Sequence, residues 1–143
     1  MPMKSPAKQI AELLQIAAIG VIGGSNWGIF LGKLPTSPNN AICCTASGGP
    51  SPFPHLTINF PSVQVMVRGK AGSYEETENK CREIVAALLG LPAQNFNTDF
   101  WGGVRQLGDV ISLGFDEVNR PLFSCNFSII VETPAEGYRQ SIT

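Results

Sequence analysis

SVQVMVRGKAGSYEETENKCREIVAALLGLP, residues 62–92, changes its hydrophobic period halfway along. From Ser62 to Arg68, Val63, Val65 and Val67 alternate with Gln64, Met66 and Arg68. A period of two puts one side of a strand against a core and leaves the other to solvent. Gly69 to Gly72 interrupt the pattern. From Ser73 onward Tyr74, Thr77, Cys81, Ile84 and Leu88 recur at helical spacing, with Glu75, Asn79, Arg82 and Glu83 on the opposite face. Ser73 and Glu76 have the S-x-x-E spacing of a capping box, and Gly90 with Pro92 predicts the stop. A half-buried strand running straight into an amphipathic helix predicts a sheet with a helix laid on it, not a helix bundle.

Downstream, Val104 to Leu113 reads as an extended strand, bulged at Gly108, and Phe115 to Arg120 as a turn. Leu122 to Glu132 alternates again, with Phe123, Cys125, Phe127, Ile129 and Val131 on one face. The two strands predict a long antiparallel hairpin. Pro134 to Thr143 lacks a core pattern and is expected to be ordered only by a neighbour. Upstream, Ser5-Pro6 predicts a helix start, carrying Ile10, Leu13, Leu14 and Ala17 inward and stopping at Gly20. Gly23 to Asn26 is a turn, Trp27 to Leu31 a short strand, Pro35 to Asn40 a second turn and Ala41 to Thr45 another strand. Ala46 to Pro61 is a long Gly/Pro/Ser-rich loop that also carries Phe53, His55, Leu56, Ile58 and Phe60, which makes it a candidate partner surface. The expected order is helix, three strands, helix, two strands. That is an α+β plan: an antiparallel-rich sheet packed by two helices on one face, with a long loop and a C-terminal extension (134–143), in a single domain over residues 1–143.

Composition narrows the function. The chain has 143 residues, is 43% hydrophobic and 15% charged, and carries a net charge of −1. It is too apolar for a disordered segment. Its ten Lys and Arg are scattered rather than gathered into the basic face of a duplex-gripping protein. The four cysteines form no C-x-x-C pair and there is one histidine, so no metal site is expected and reduced, core-facing thiols are. Leu13 to Gly32 has no charged residue, but Gln15, Ser25, Asn26 and five glycines break it, and no membrane span is expected.

No catalytic arrangement emerges either. A triad would have to recruit His55 from the proline-rich loop, with Asp99, Asp109 or Asp116 as its acid, and Cys81 sits on the apolar stripe of a helix, where burial makes a thiol inert. Gly32-Lys33 and Gly69-Lys70 resemble the end of a phosphate loop, but Leu34 and Ala71 stand where a hydroxyl should hold the metal. The chain is therefore read as a non-enzyme with no cofactor.

Three blocks carry a resemblance. The first is FLGKLPTSPNNAI (30–42), the second FPSVQVMVRGK (60–70) with the helix that ends in LLGL (88–91), and the third DEVNRPLFSCNF (116–127). In order and spacing they resemble the phage minor capsid proteins that serve as tail terminators, from about Phe30 to Val131. Val118 departs from the simple Asn-Gly turn of that family. The resemblance implies a six-fold homo-oligomeric ring in the virion neck, assembled in the host cytoplasm. It would sit on the last ring of tail-tube protein, stop tube growth, meet the head connector or stopper (and the sheath in a contractile tail), and let DNA pass through its lumen. Expected contact residues are Phe53, His55, Leu56 and Phe60 on the loop and Tyr138 in the tail. Trp101 and Arg105 are further candidates, although Trp101 fits core packing equally well. Another head–tail neck protein remains an alternative, as does a small secreted binding module.

Overall fold

The computed structural model describes residues 5–49, 58–96 and 99–132. The elements in chain order are helix α1 (Pro6–Ile16), strands β1 (Val21–Ile22), β2 (Gly28–Leu31), β3 (Ala41–Gly48), β4 (Ile58–Asn59) and β5 (Ser62–Arg68), helix α2 (Tyr74–Leu89), and strands β6 (Gln94–Phe96), β7 (Asp99–Gln106), β8 (Ile111–Phe115) and β9 (Pro121–Glu132). The nine strands form one sheet in the order β1-β2-β3-β5-β9-β7-β6, with β4 and β8 also paired to β9. The β1–β2 and β2–β3 pairs are parallel and every other pair is antiparallel. The described residues are thus mostly sheet with two helices, an α+β fold.

Strand β9 organises the sheet. One of its edges pairs with β5 and then β4, the other with β8 and then β7. The registers set Ile42, Val67 and Phe123 in one row, and Cys44, Val65 and Cys125 in the next. These residues share one core with Val63, Phe127, Ile129 and Val131, and with the apolar stripes of both helices: Ile10, Leu13 and Leu14 of α1, and Cys81, Ile84 and Leu88 of α2. The opposite, outer face of the same strands reads Thr45–Gln64–Asn126 in one row and Ser62–Ser128 in another. The period-two alternation of β5 and β9 puts apolar side chains on one side and hydroxyls and amides on the other.

Several expectations are corrected. α1 stops at Ile16, not at Gly20: Ala18 turns to φ 61° and the Ile19 N–H returns to the Leu14 carbonyl 3.0 Å away. Gly20 is needed for a different reason, because a Cβ there would collide with the Trp27 carbonyl. The loop drawn over Ala46–Pro61 is shorter at both ends. β3 runs on to Gly48 because Ala46 pairs with Val63 and Gly48 with Ser62, and β4 pairs with the end of β9; residues 50–57 lie outside the described residues. The single strand expected over Val104–Leu113 is two, β7 and β8. Gly108, at φ 77°, breaks the run so that each piece takes its own half of β9. The expected single turn before β9 is confined to Asp116–Arg120.

The capping box also fails. Ser73 makes no side-chain cap. Its hydroxyl donates to the Lys70 carbonyl at 2.6 Å, and the Thr77 hydroxyl donates to the Ser73 carbonyl at 2.6 Å. Both hydroxyls lie against Gly69, where an added Cβ would strike Thr77 Oγ1 and Ser73 Oγ. The chain leaves β5 and enters α2 through a gap with no room for a side chain. Gly69→Ala is expected to destabilise the fold by about 1–3 kcal/mol in chemical denaturation, the usual cost of overpacking. Thr77→Ala in the same chain should recover part of that loss. Equal, additive effects of the two changes would show that the close approach does not matter.

Candidate functional site

The nine residues from Gly32 to Asn40 must carry the chain from the end of β2 back to the start of β3, because those two strands run parallel. Gly32 begins the return at φ 78°, with its N–H on the Cys44 carbonyl at 3.0 Å. Pro35 and Pro38 exclude helix from the return, and the Ser37–Pro38 bond is cis. Two arginines hold the segment in place.

Arg68, the last residue of β5, projects from the outer face in one row with Ala41 and Leu122. It is only 4% exposed. Its guanidinium donates from Nη2 to the Pro38 carbonyl at 2.6 Å and from Nε to the Asn39 carbonyl at 3.2 Å. Arg120, just before β9, donates from Nη1 to the Thr36 carbonyl at 2.7 Å and to Asn39 Oδ1 at 3.3 Å. Asp116 orients Arg120 through a 2.7 Å ion pair to Nε. The other Asp116 carboxylate oxygen accepts the backbone N–H of Val118 at 3.0 Å and of Arg120 at 2.9 Å. Asn40 finishes the arrangement, accepting the Lys70 N–H at 3.1 Å and donating to Asn26 Oδ1 at 2.9 Å.

The electrostatics are those of a clamp. Burial lowers the pKa of Arg68, and the neighbouring Arg120 lowers it further, while Asp116 works the other way. Burial pushes the Asp116 carboxyl up, but the backbone and guanidinium N–H groups of Arg120 and the Val118 N–H outweigh it and hold the group below its ordinary value. Planar, multi-donor guanidinium suits this task, since one side chain fixes two acceptors at once. The assembly of two guanidinia, one carboxylate and three backbone carbonyls contains no nucleophile. What it does is hold a surface loop, with Lys33, Thr36, Ser37 and Asn39 exposed, in one conformation.

The residues singled out in the sequence fare differently. Phe53, His55, Leu56 and Tyr138 lie outside the described residues. Phe60 is half-buried between β4 and β5. Trp101 is 2% exposed and belongs to the core, so it offers no free surface. Arg105 is exposed on β7 beside Ser128 of the outer face, whereas Trp101 pairs with core-facing Val131. The structure therefore does not bring these two together. Arg68, Arg120 and Asp116 stand in the quoted blocks, but their separation along the chain hides that they form one site. The available signals were a cation closing an apolar strand and the Asp–Arg spacing across the turn before β9.

The thiols are core residues. Cys81 and Cys125 stand 3.5 Å apart, both fully buried. Burial, with Cys43 adding, pushes the Cys44 thiol up to about 12. The Cys81 hydrogen bond, then burial, raise that of Cys125 as well. Among the described residues, no group of His, Cys, Asp and Glu is placed to hold a metal ion, and no helix is long and apolar enough to cross a membrane.

Two predictions follow from the clamp. Arg68→Lys keeps the charge but not the fork, so backbone amides in residues 36–40 should exchange at least about tenfold faster, read by hydrogen exchange; unchanged protection would show that the second donor is dispensable. For Asp116, whose folded pKa is depressed, the stabilisation is fully present above the ordinary carboxylate value of 3.8 and is lost as pH falls through the lower folded value. The stability gap between wild type and Asp116→Asn should therefore be flat above about pH 5 and close below it. A gap independent of pH would remove the carboxylate from the clamp.

A family model described as "Bacteriophage tail terminator protein" matches residues 12–133. The fold is similar to that of a chain in a solved structure described as "Virion of native gene transfer agent (GTA) particle", with a TM-score of 0.61 and 13% sequence identity, over 90% of this chain and 95% of that one. At that identity the likeness is one of fold. No curated protein matches the sequence.

Proposed function

Because the chain belongs to the bacteriophage tail terminator family, we propose that this structural tail protein of the virion forms a six-membered ring that caps the tail tube, stops its elongation and joins the tail to the head connector. The observation that carries the proposal is the reach of the family match, residues 12–133, which takes in both arginines of the clamp, the loop they hold and the core strand β9. In this reading the two helices cover one face of the sheet, and the half-buried amides Gln64 and Asn126 with exposed Arg105 on the outer face are left for contacts within the assembly. The clamped loop is a preformed docking element, because a surface ordered before binding loses less entropy on docking.

Neighbouring subunits and the tube protein would meet Phe53, His55, Leu56 and Phe60, with Tyr138 and the extension after Pro134. Arg105 on the outer face is a further contact. Connector or stopper, and sheath in a contractile tail, are the remaining partners. DNA passes through the lumen without sequence-specific contacts, which suits a chain of net charge −1. Assembly takes place in the host cytoplasm.

Light scattering over a concentration series, with and without tail tubes, tests this. The expected result is a six-subunit particle, or capture of the protein at one end of the tubes seen by electron microscopy. A protein that stays monomeric and ignores tubes, yet binds portal-side connector rings, would be a different neck component.

A further inference from the structure

The four cysteines of the chain are all buried and carry free thiols, but they are not equivalent. Cys43 and Cys44 are successive residues of β3, so their side chains leave opposite faces of the sheet. Cys43 stands on the outer face in a row with Met66 and Ser124, its Sγ 3.4 Å from Thr45 Oγ1. Cys44 shares a core-facing row with Cys125, but Val65 stands between them, and two strand spacings part their backbones by about 10 Å. That exceeds the roughly 7 Å that a disulfide can bridge. Cys81 and Cys125 differ. Cys81 hangs from the buried stripe of α2, its thiol donates to Cys125 Sγ at 3.5 Å, and the Cys125 thiol points on to the Val65 carbonyl at 3.8 Å.

We infer that Cys81 and Cys125 are the site of a latent disulfide, closed by hydrogen peroxide after the chain has folded, which ties α2 to the central strand β9. An S–S bond is about 2.05 Å long, so the sulfurs must approach by about 1.5 Å, within reach of small rotations about the two Cα–Cβ bonds. The chemistry balances without any other group. One sulfur attacks the peroxide and breaks its O–O bond; a sulfenic acid forms and the first water leaves. The second sulfur attacks the sulfenic sulfur, the S–S bond forms, and the sulfenic oxygen leaves with the second thiol proton as another water. The two thiols lose two electrons and two protons, and the peroxide takes them up.

Burial sets the timing. The Cys81 hydrogen bond and burial raise the pKa of Cys125 and keep that thiol protonated, and protonated, enclosed thiols react slowly with external reagents. Reductants inside a cell keep such a pair open; a particle outside a cell has no such supply. Once either sulfur is oxidised, the other stands 3.5 Å away as its nucleophile, so the enclosure that slows the first step favours the second. The closed bond spans 44 positions of the chain and encloses β6, β7 and β8. A cross-link of that span removes freedom from the unfolded chain and so stabilises the fold.

Hydrogen peroxide on the folded full chain tests this. After hours of exposure the chain is denatured in an alkylating agent, and its proteolytic fragments are read by mass spectrometry. The expected result is fragments joined through Cys81 and Cys125, lighter by two hydrogens, with Cys43 and Cys44 alkylated. The thermal midpoint should rise by at least about 5 °C. Cys44→Ala should keep the link, and Cys81→Ala should lose both the link and the rise. Four alkylated thiols, a link between other cysteines, or sulfinic acid in place of the link overturns the inference. A linked chain no more stable than the open one overturns it as well.

Discussion

The rest of the structure depends on strand β9 being paired along both edges while burying one face. Its inner residues Phe123, Cys125, Phe127, Ile129 and Val131 are at most 4% exposed. Fully burying a large apolar side chain contributes about 1.5–3 kcal/mol, so this one strand supplies a large share of the driving force for the fold. It also fixes the register. A one-residue slip would turn all five residues outward and put Ser124, Asn126 and Ser128 into the core. α2 packs directly on this face and on β5, whereas α1 packs on β3, β1 and β2 and meets α2, so the two helices join one core from different strands.

The clamp answers a difficulty that the sheet creates. Two consecutive parallel strands need a connection that runs back along the sheet, and such connections usually contain a helix. Here nine residues make the return without one, so their carbonyls have few backbone partners. Arg68 and Arg120 supply the missing donors from strand and turn positions about 30 and 80 residues further along the chain. Burying a guanidinium is costly unless its N–H groups are used. The carbonyls of Pro38, Asn39 and Thr36 offset that cost, and Asp116 fixes the direction of Arg120.

This division explains what was legible in the sequence. β5, β9 and α2 were readable because their burial is periodic, and period is a local property of the chain. The extension of β3 to Gly48 was not, since Ala46 and Gly48 carry no strand signal and are held only by pairing with Val63 and Ser62. The break at Gly108 reads locally as a bulge, because the sequence shows how long β9 is but not that two strands share one of its edges. Ser73 has the letters of a capping box, but the nearest acceptor for its hydroxyl is the Lys70 carbonyl across the tight Gly69 passage. The clamp was the hardest to see. Its members are distant in sequence, and each reads locally as a turn residue or a strand end. The family resemblance covered all three blocks without showing that they touch.

The same three blocks give the resemblance a physical cause. Arg68 closes β5, Asp116 and Arg120 form the turn into β9, and the return from Gly32 to Asn40 links β2 with β3. A change in any one block leaves a partner in another unsatisfied: an unpaired buried guanidinium, a carbonyl without its donor, or a carboxylate facing no cation. The three blocks are thereby tied to one another, as the exposed face of α2 is not. What the fold holds constant is therefore the position of one loop relative to the central strand.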